Sequence, residues 1–413
     1  MRRPIDRSTR FSAGEDRGGC VKSGFVGAVV ATSIVLAGCS TTVAGTAVED
    51  PSAAPRPDTG SYATKPRQVG PPDTQTALTL EGWRMAATAP LISDVDPTLR
   101  YGSQLVAGKL DSAQRGVRAT FGAVAEAALK DREVGFFARA GTFRAGGNAD
   151  LNARQRAATV GVIRMPTAAA ATAAVTPTLR DKDTPTNPER TPVEIPGYPA
   201  AIGYTQDFKL KTSDPSNVAF LAYKQYVIVV YGQLSAEQVR SYFDMQSKGL
   251  DGFAPTPTEK LAQLPADEPG LAKYTVPPSG SDVSGGGSMS AKSALFLQSD
   301  LIGSKKNFDD AGVDDVGLGG NQVYRTRDAA AATRLREAFV TETTGAYEER
   351  TPVQVQGVPG STCLTLSRFP GSDSRFTWCV VAVDRYLVEV SAGQQQQAVQ
   401  ALGASYLMIK GDQ

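Results

Sequence analysis

The chain of 413 residues contains no histidine. That absence excludes Ser-His-Asp and Cys-His catalysis, zinc held by imidazole and a histidine pH switch. Cysteine is scarce, at four residues, and no Cys-x-x-Cys pair is among them. No charge sign is in excess, with 43 basic against 42 acidic residues. A near-neutral chain without basic clusters is a poor fit to nucleic acid, whose binding rests on neutralising phosphates. Ser-x-x-Lys, Gly-x-Ser-x-Gly and Gly-x-x-x-x-Gly-Lys motifs are missing as well. No run reaches the roughly 20 apolar residues that span a bilayer.

One shorter apolar run is present, the 12 residues Phe25–Leu36. Arg2, Arg3, Arg7, Arg10, Arg17 and Lys22 precede it, and Leu36-Ala37-Gly38-Cys39 closes it. This order reads as a lipoprotein signal peptide over residues 1–38. Its lipobox cysteine, Cys39, is the expected site of diacylglyceryl and palmitate-type acylation and the expected mature N-terminus. The competing reading is a short core helix with an ordinary thiol. The 24 residues ahead of the run exceed a usual n-region, which points to a later translation start. One acyl chain gives marginal membrane binding, at about 0.8 kcal/mol per buried CH₂, so two or three chains are needed for firm anchoring.

Residues 39–76 are rich in proline, glycine and small polar residues and hold few large apolar ones. They read as a flexible tether spanning roughly 30–35 Å. The mature part carries 37 basic and 39 acidic residues. Cys20 falls in the signal, which leaves Cys363 and Cys379 as an even pair in an oxidising compartment, expected as a disulfide. Closing a loop of that size stabilises by about 3 kcal/mol in the chain-entropy model.

Two folded regions are expected, 77–265 and 291–413, joined by a linker at 266–290 that contains Pro277-Pro278 and Gly285-Gly286-Gly287. They repeat each other. Thr191-Pro192-Val193 to Pro199 matches Thr351-Pro352-Val353 to Pro359 at an offset of 160, as does Tyr226-Val227-Ile228-Val229 with Tyr386-Leu387-Val388-Glu389. Ala168–Thr172 matches Ala329–Thr333 at 161. Each copy reads as a short strand (Val160–Arg164, Gln322–Arg325), a helix, β segments around Val193, Ala201–Tyr204, Val218–Tyr223 and Tyr226–Tyr231, then a closing helix. Asp328 stands at an N-cap position. Ala332, Leu335 and Phe339 mark one helix face, and Val399, Leu402, Tyr406 and Ile409 another. Trp83–Ala89 and Val117–Asp131 also read as helical. Strands grouped between helices predict an α+β class with antiparallel sheets. Cys363 and Cys379 fall where the first copy has Gly203 and Ala219, so the disulfide is expected to staple the second sheet alone.

Chemistry-bearing residues are sparse. Asp309, Asp310, Asp314 and Asp315 form the densest acidic cluster, which suits a hard cation but fits no EF-hand spacing and otherwise reads as solvated turns. Asp94 and Asp96 fit turn or helix capping better than an acid-base pair. Trp83, Tyr101, Tyr198, Tyr226, Trp378 and Tyr386 read chiefly as core aromatics.

The lipobox with Val43-Ala44-Gly45-Thr46-Ala47, Trp83-Arg84-Met85, Ser93-Asp94-Val95-Asp96-Pro97 and Arg100-Tyr101-Gly102 resembles cell-envelope lipoproteins of mycolate-containing actinobacteria, the mycobacterial and nocardial type. Val323-Tyr324-Arg325-Thr326-Arg327-Asp328, Gly357-Val358-Pro359-Gly360 and the Cys363/Cys379 pair carry the same resemblance. It covers nearly all of the mature chain. It implies an envelope lipoprotein built of a domain of unknown function and carries over no catalytic residue.

The sequence therefore leads to an envelope lipoprotein held by Cys39 to the outer face of the cell membrane, facing the cell wall. Its expected work is non-catalytic binding of an envelope lipid, glycolipid or protein partner, with no cofactor and no metal. A carboxylate-based envelope hydrolase and an accessory or sensor subunit of an envelope complex are the alternatives.

Overall fold

Runs of β-branched and aromatic residues broken by glycine and proline become two seven-stranded sheets in the computed structural model, which describes residues 55–144, 155–210, 213–278, 286–369 and 371–412. The signal peptide, Cys39 and the tether up to residue 54 lie outside the described residues, as does the Gly/Ser run at 279–285.

In the first half, α1 (Thr74–Ala86) and α2 (Ile92–Val95) precede β1 (Tyr101–Gly108). Then come α3 (Val117–Phe121), α4 (Ala123–Ala128), β2 (Val134–Gly141), β3 (Ala157–Arg164) and α5 (Ala168–Ala174). The half ends with β4 (Thr191–Val193), β5 (Ile202–Gln206), β6 (Ser216–Tyr223), β7 (Tyr226–Gly232) and α6 (Ala236–Asp251). The second half opens with β8 (Gly287–Ser290), α7 (Ala291–Ala294), α8 (Leu301–Ala311), β9 (Asp315–Leu318) and β10 (Gln322–Arg325). It continues with α9 (Ala329–Ala346), β11 (Arg350–Val353), β12 (Thr362–Ser367), β13 (Arg375–Val383), β14 (Tyr386–Ala392) and α10 (Gln395–Lys410).

The sheets share one topology. The first runs β1-β2-β3-β7-β6-β5-β4 and the second β8-β9-β10-β14-β13-β12-β11. Every neighbouring pair is antiparallel. The protein is thus α+β and duplicated, and the duplication extends upstream of the sequence matches, with β8 and β9 in the places of β1 and β2. Register follows the repeat: Arg164 faces Tyr226 and Arg325 faces Tyr386. Gly203 faces Ala219, and Cys363 faces Cys379, which is disulfide-bonded to it.

Local chemistry sets the helices. The Asp328 side chain accepts from Ala331 N at 2.7 Å, and Thr167 does the same for Ala170 in the first copy. α5 is short because Pro177 follows and cannot continue a helix, whereas α9 runs 18 residues. Ala332, Leu335 and Phe339 are buried as their spacing predicts. On α10 the buried face is centred on Ala398, Leu402, Ser405 and Ile409, with Val399 and Tyr406 at its margins. Val117–Asp131 is not one helix. It breaks between α3 and α4 at Gly122, whose φ of +94° an L side chain rarely adopts.

Two stretches expected to be loose are built into the body. Within the predicted tether, Asp58 accepts from Gln400 Nε2 at 3.1 Å, Tyr62 packs on the second core, and α1 begins at Thr74. Arg67 donates from Nε to Ala272 O at 3.0 Å and from Nη2 to Thr275 Oγ1 at 3.2 Å. Within the predicted linker, Tyr274 and Val276 are buried, Val276 N donates to Asn321 Oδ1 at 2.8 Å, and Gly287–Ser290 forms β8. Short polar sequences hid these roles, because a single apolar residue at the right place suffices to dock them.

The largest apolar cluster crosses between the copies, joining Trp83, Phe136 and Val160 to Phe296, Leu301 and Trp378. The Phe136 and Phe296 rings lie 6.4 Å apart. α1 packs on β1 and β2 of the first sheet and on β8 of the second. Arg100 forms a two-pronged pair with Asp300, and Arg144 pairs with Glu342 at 3.0 Å. Both guanidinium groups stack near the Tyr101 ring, at 5.4 and 5.1 Å.

Candidate ligand-binding cleft

Where α1 and β1 of the first copy meet β9, β10 and β14 of the second, the surface opens into a cleft of about 830 Å³. Leu105, Val106 and Ala107 all line it. Consecutive strand residues point to opposite faces, so three in a row can share a wall only if the strand edge forms it. β1 is the edge of its sheet. Trp83 and Thr79 come from α1, Gln298 and Ser299 from the turn before α8, Gly319 to Asn321 from the β9–β10 turn, and Gln322 from the start of β10.

Glu389 and Ser391 of β14 also line this cleft. Glu389 Oε1 accepts from Trp378 Nε1 at 2.7 Å, and Oε2 lies 2.7 Å from the Tyr324 hydroxyl. Tyr324 OH also meets Gln322 Oε1 and accepts from Gln298 Nε2 at 3.3 Å. Burial pushes the Glu389 carboxyl above its ordinary value of 4.5, against the pull of its Trp378 and Tyr324 hydrogen bonds; Glu342 adds to the rise. Burial likewise drives the Tyr324 phenol well above its ordinary range. One phenol hydrogen cannot serve two acceptors. The set closes when Glu389 is protonated and donates to Tyr324, which then donates to Gln322. It also closes with Glu389 ionised if the Gln322 amide is turned to donate. The burial shift favours the first arrangement.

The repeat shows that this polarity is local to the second copy. By register, Gln322, Tyr324, Trp378 and Glu389 stand where the first copy has Gly161, Ile163, Val218 and Val229. Ile163, Val218 and Val229 sit in a closed apolar core under α3, α4 and α5. The only sequence signal for the cleft was this disagreement between otherwise matching copies.

The residues singled out from the sequence fall elsewhere or in structural roles. Asp94 caps α2 by accepting from Leu91 N at 2.9 Å. Asp96 accepts from Thr98 N at 3.0 Å, Arg156 Nη2 at 2.6 Å and Gln238 Nε2 at 3.0 Å, a buried turn anchor. Asp309 and Asp310 pair with Lys305 and Lys306 along α8, and Asp314 and Asp315 pair with Arg325. Tyr198 stacks edge-on to Phe243 and bonds Asp244; burial and that contact push its phenol up to about 12. Tyr226 is core, Tyr386 is half-buried against Tyr274 at 5.3 Å, and of the singled-out aromatics Trp83 lines the cleft while Trp378 is buried behind it, bonded to Glu389. No helix among the described residues is long and apolar enough to cross a membrane.

The extracellular domain of PknH from Mycobacterium tuberculosis is similar in structure at a TM-score of 0.30 and 14% identity, over 41% of this chain and 96% of that one. No curated protein matches the chain. Residues 69–266 match the N-terminal domain of unknown function DUF7373, and residues 271–411 match its C-terminal domain. Together the two matches take in well over half of the sequence, and the chain belongs to the DUF7373 family, of which it carries both the N-terminal and the C-terminal domain.

Proposed function

We propose that the protein is a cell-envelope lipoprotein, anchored through Cys39 on the outer face of the membrane, whose body is a non-catalytic binding module with the inter-copy cleft as its ligand site. The observation that carries the binding role is the replacement of Gly161 and Val229 by Gln322 and Glu389 on the cleft wall, with Tyr324 and Trp378 buried behind them where the first copy has Ile163 and Val218. A polar group left unsatisfied on burial costs about 1–3 kcal/mol, so a carboxyl where the twin has a valine needs the Trp378 and Tyr324 partners that packing alone does not call for. A ligand contact supplies the reason. Binding is favoured over hydrolysis because both Glu389 oxygens are engaged by Trp378 and Tyr324, and Glu342 is held by Arg144. The envelope location rests on the signal-like segment before Cys39 and on the actinobacterial resemblance.

Mass spectrometry of the full chain purified from its native envelope tests this reading. The expected result is a bound small molecule that is lost in Ser391→Trp, which fills the cleft, together with an acyl-modified N-terminal peptide at Cys39. An unmodified Cys39 removes the anchor. Folded wild-type protein and Ser391→Trp carrying the same molecules removes the cleft.

A further inference from the structure

Granting that the cleft binds a ligand, we propose that it takes an uncharged, polyhydroxylated one, a short neutral glycan segment, and not an acyl chain or an anion. The side chains facing the space decide the class. Gln75, Gln298 and Gln322 present carboxamides, and Ser299 and Ser391 present hydroxyls. Each such group both donates and accepts, which is the requirement set by a sugar hydroxyl. Among the described residues, Gln75, Ser299 and Ser391 spend none of their side-chain hydrogen bonds on the protein.

The charges around the space act by exclusion. Glu389 at the wall offers an anion no attraction in either protonation state. The cation of the lining, Arg115, already has a protein partner. A cation gains little from Glu389, because both carboxyl oxygens are taken and burial favours the neutral form. An acyl chain would bury carboxamides and hydroxyls without partners. An extended peptide would use the bare edge of β1, yet the facing wall offers it amides in place of apolar pockets for alternate side chains. Leu105, Leu297 and Trp83 supply the apolar surface that the C–H faces of a sugar ring require. About 830 Å³ is within the range of a small-ligand site and leaves room for more than one ring.

The protein reports on this site without labels, since its two tryptophans are Trp83, on the cleft wall, and Trp378, bonded to Glu389. The full chain is titrated against malto-, cello-, manno- and galacto-oligosaccharides of two to five units, their glucuronide and phosphorylated analogues, palmitate, and a random-coil peptide library, with tryptophan emission as the readout. A saturable change with a neutral oligosaccharide is expected, weakened roughly tenfold by Gln322→Ala or by the rim change Ser391→Ala, as loss of a hydrogen bond predicts. Saturable binding of palmitate, an anionic sugar or a peptide in place of neutral sugars overturns the ligand class and leaves the cleft as a site. Silence from every probe, in folded protein that carries no native ligand, overturns both.

Discussion

The indole Nε1 of Trp378 donates to Glu389 Oε1 at 2.7 Å, across neighbouring strands of the second sheet. The first copy has Val218 and Val229 at these two places. A carboxyl whose pKa is raised by burial is stabilised in its neutral form. Its contribution is complete below the unfolded value near 4.5 and is lost as pH rises through the folded value. Wild-type stability should therefore fall on going from about pH 4.5 upward, and Glu389→Gln should flatten that slope. Glu389→Val leaves the Trp378 Nε1 donor unpaired and should cost about 1–3 kcal/mol. Denaturant titrations across pH 4–8 read all three, and a slope identical in wild type and Glu389→Gln contradicts the assignment.

Cys363 and Cys379 are both buried, and their bond closes a separation of 16 residues between β12 and β13. Replacing them by the first copy's residues, Cys363→Gly with Cys379→Ala, should lower stability by about 3 kcal/mol. Hydrogen exchange should quicken in β12 and β13 and stay unchanged in β5 and β6. Equal loosening of both sheets would show that the bond does not act locally.

Much of the fold was legible because hydrophobic period and turn chemistry agree along β4 to β7 and β11 to β14. The first two positions of each sheet were not. Gly287-Ser288-Met289-Ser290 has no strand propensity, and β8 exists because it pairs with β9. In Val134–Gly141 two glycines break the pattern, although nearly every residue is buried. The cleft was hidden for another reason. Gln322 and Glu389 are single polar residues in apolar strands, and a neighbour in space, β1, lies more than 200 residues away in sequence. Only comparison of the copies, Val229 against Glu389, exposed it.

Glu81 is fully buried on α1 and holds Arg164, itself 2% exposed, at 3.2 Å. Arg164 also reaches Glu133 at 3.0 Å and Thr256 O at 2.8 Å, so the end of β3, α1 and the chain after α6 meet at one guanidinium. Breaking one side of such a pair leaves a buried charge, so Glu81→Ala should cost about 3–5 kcal/mol, whereas Glu81→Met with Arg164→Met should cost far less than two single changes summed. The twin of Arg164, Arg325, bonds Asp314 and Asp315 nearer the surface. Arg325→Ala should accordingly lose under about 1 kcal/mol. A double-mutant cycle by urea denaturation checks the contrast.

Residues 55–73 act as a strap on the second copy. The backbone of Arg67 donates to Lys273 O at 2.9 Å, its side chain adds two more bonds, and Asp58 meets Gln400 of α10. A chain starting at residue 73 should be less stable than one starting at residue 55 by about 2–4 kcal/mol, the sum of a few hydrogen bonds and the burial at Tyr62. Arg67→Ala alone should reproduce about 1–2 kcal/mol of that loss. Identical melting of the two truncations would return these residues to the role of spacer.

The two copies match in topology, yet they should not fold separately. The cluster that joins Trp83 and Phe136 to Phe296, Leu301 and Trp378 contains residues from both sheets, and cutting the chain between residues 266 and 271 exposes it on each side. α1 alone packs on β1, β2 and β8. An exposed apolar face of this kind drives association. Residues 69–266 or 271–411 expressed alone should aggregate or bind a hydrophobic dye, and mixing the two should restore a soluble complex. Within the intact chain, Phe296→Ala should cost about 3–5 kcal/mol and lower both halves in a single transition, because a shared core makes their unfolding one event. Two separate transitions would assign the halves independent cores and show that the partly buried Arg100–Asp300 and Arg144–Glu342 pairs do not couple them.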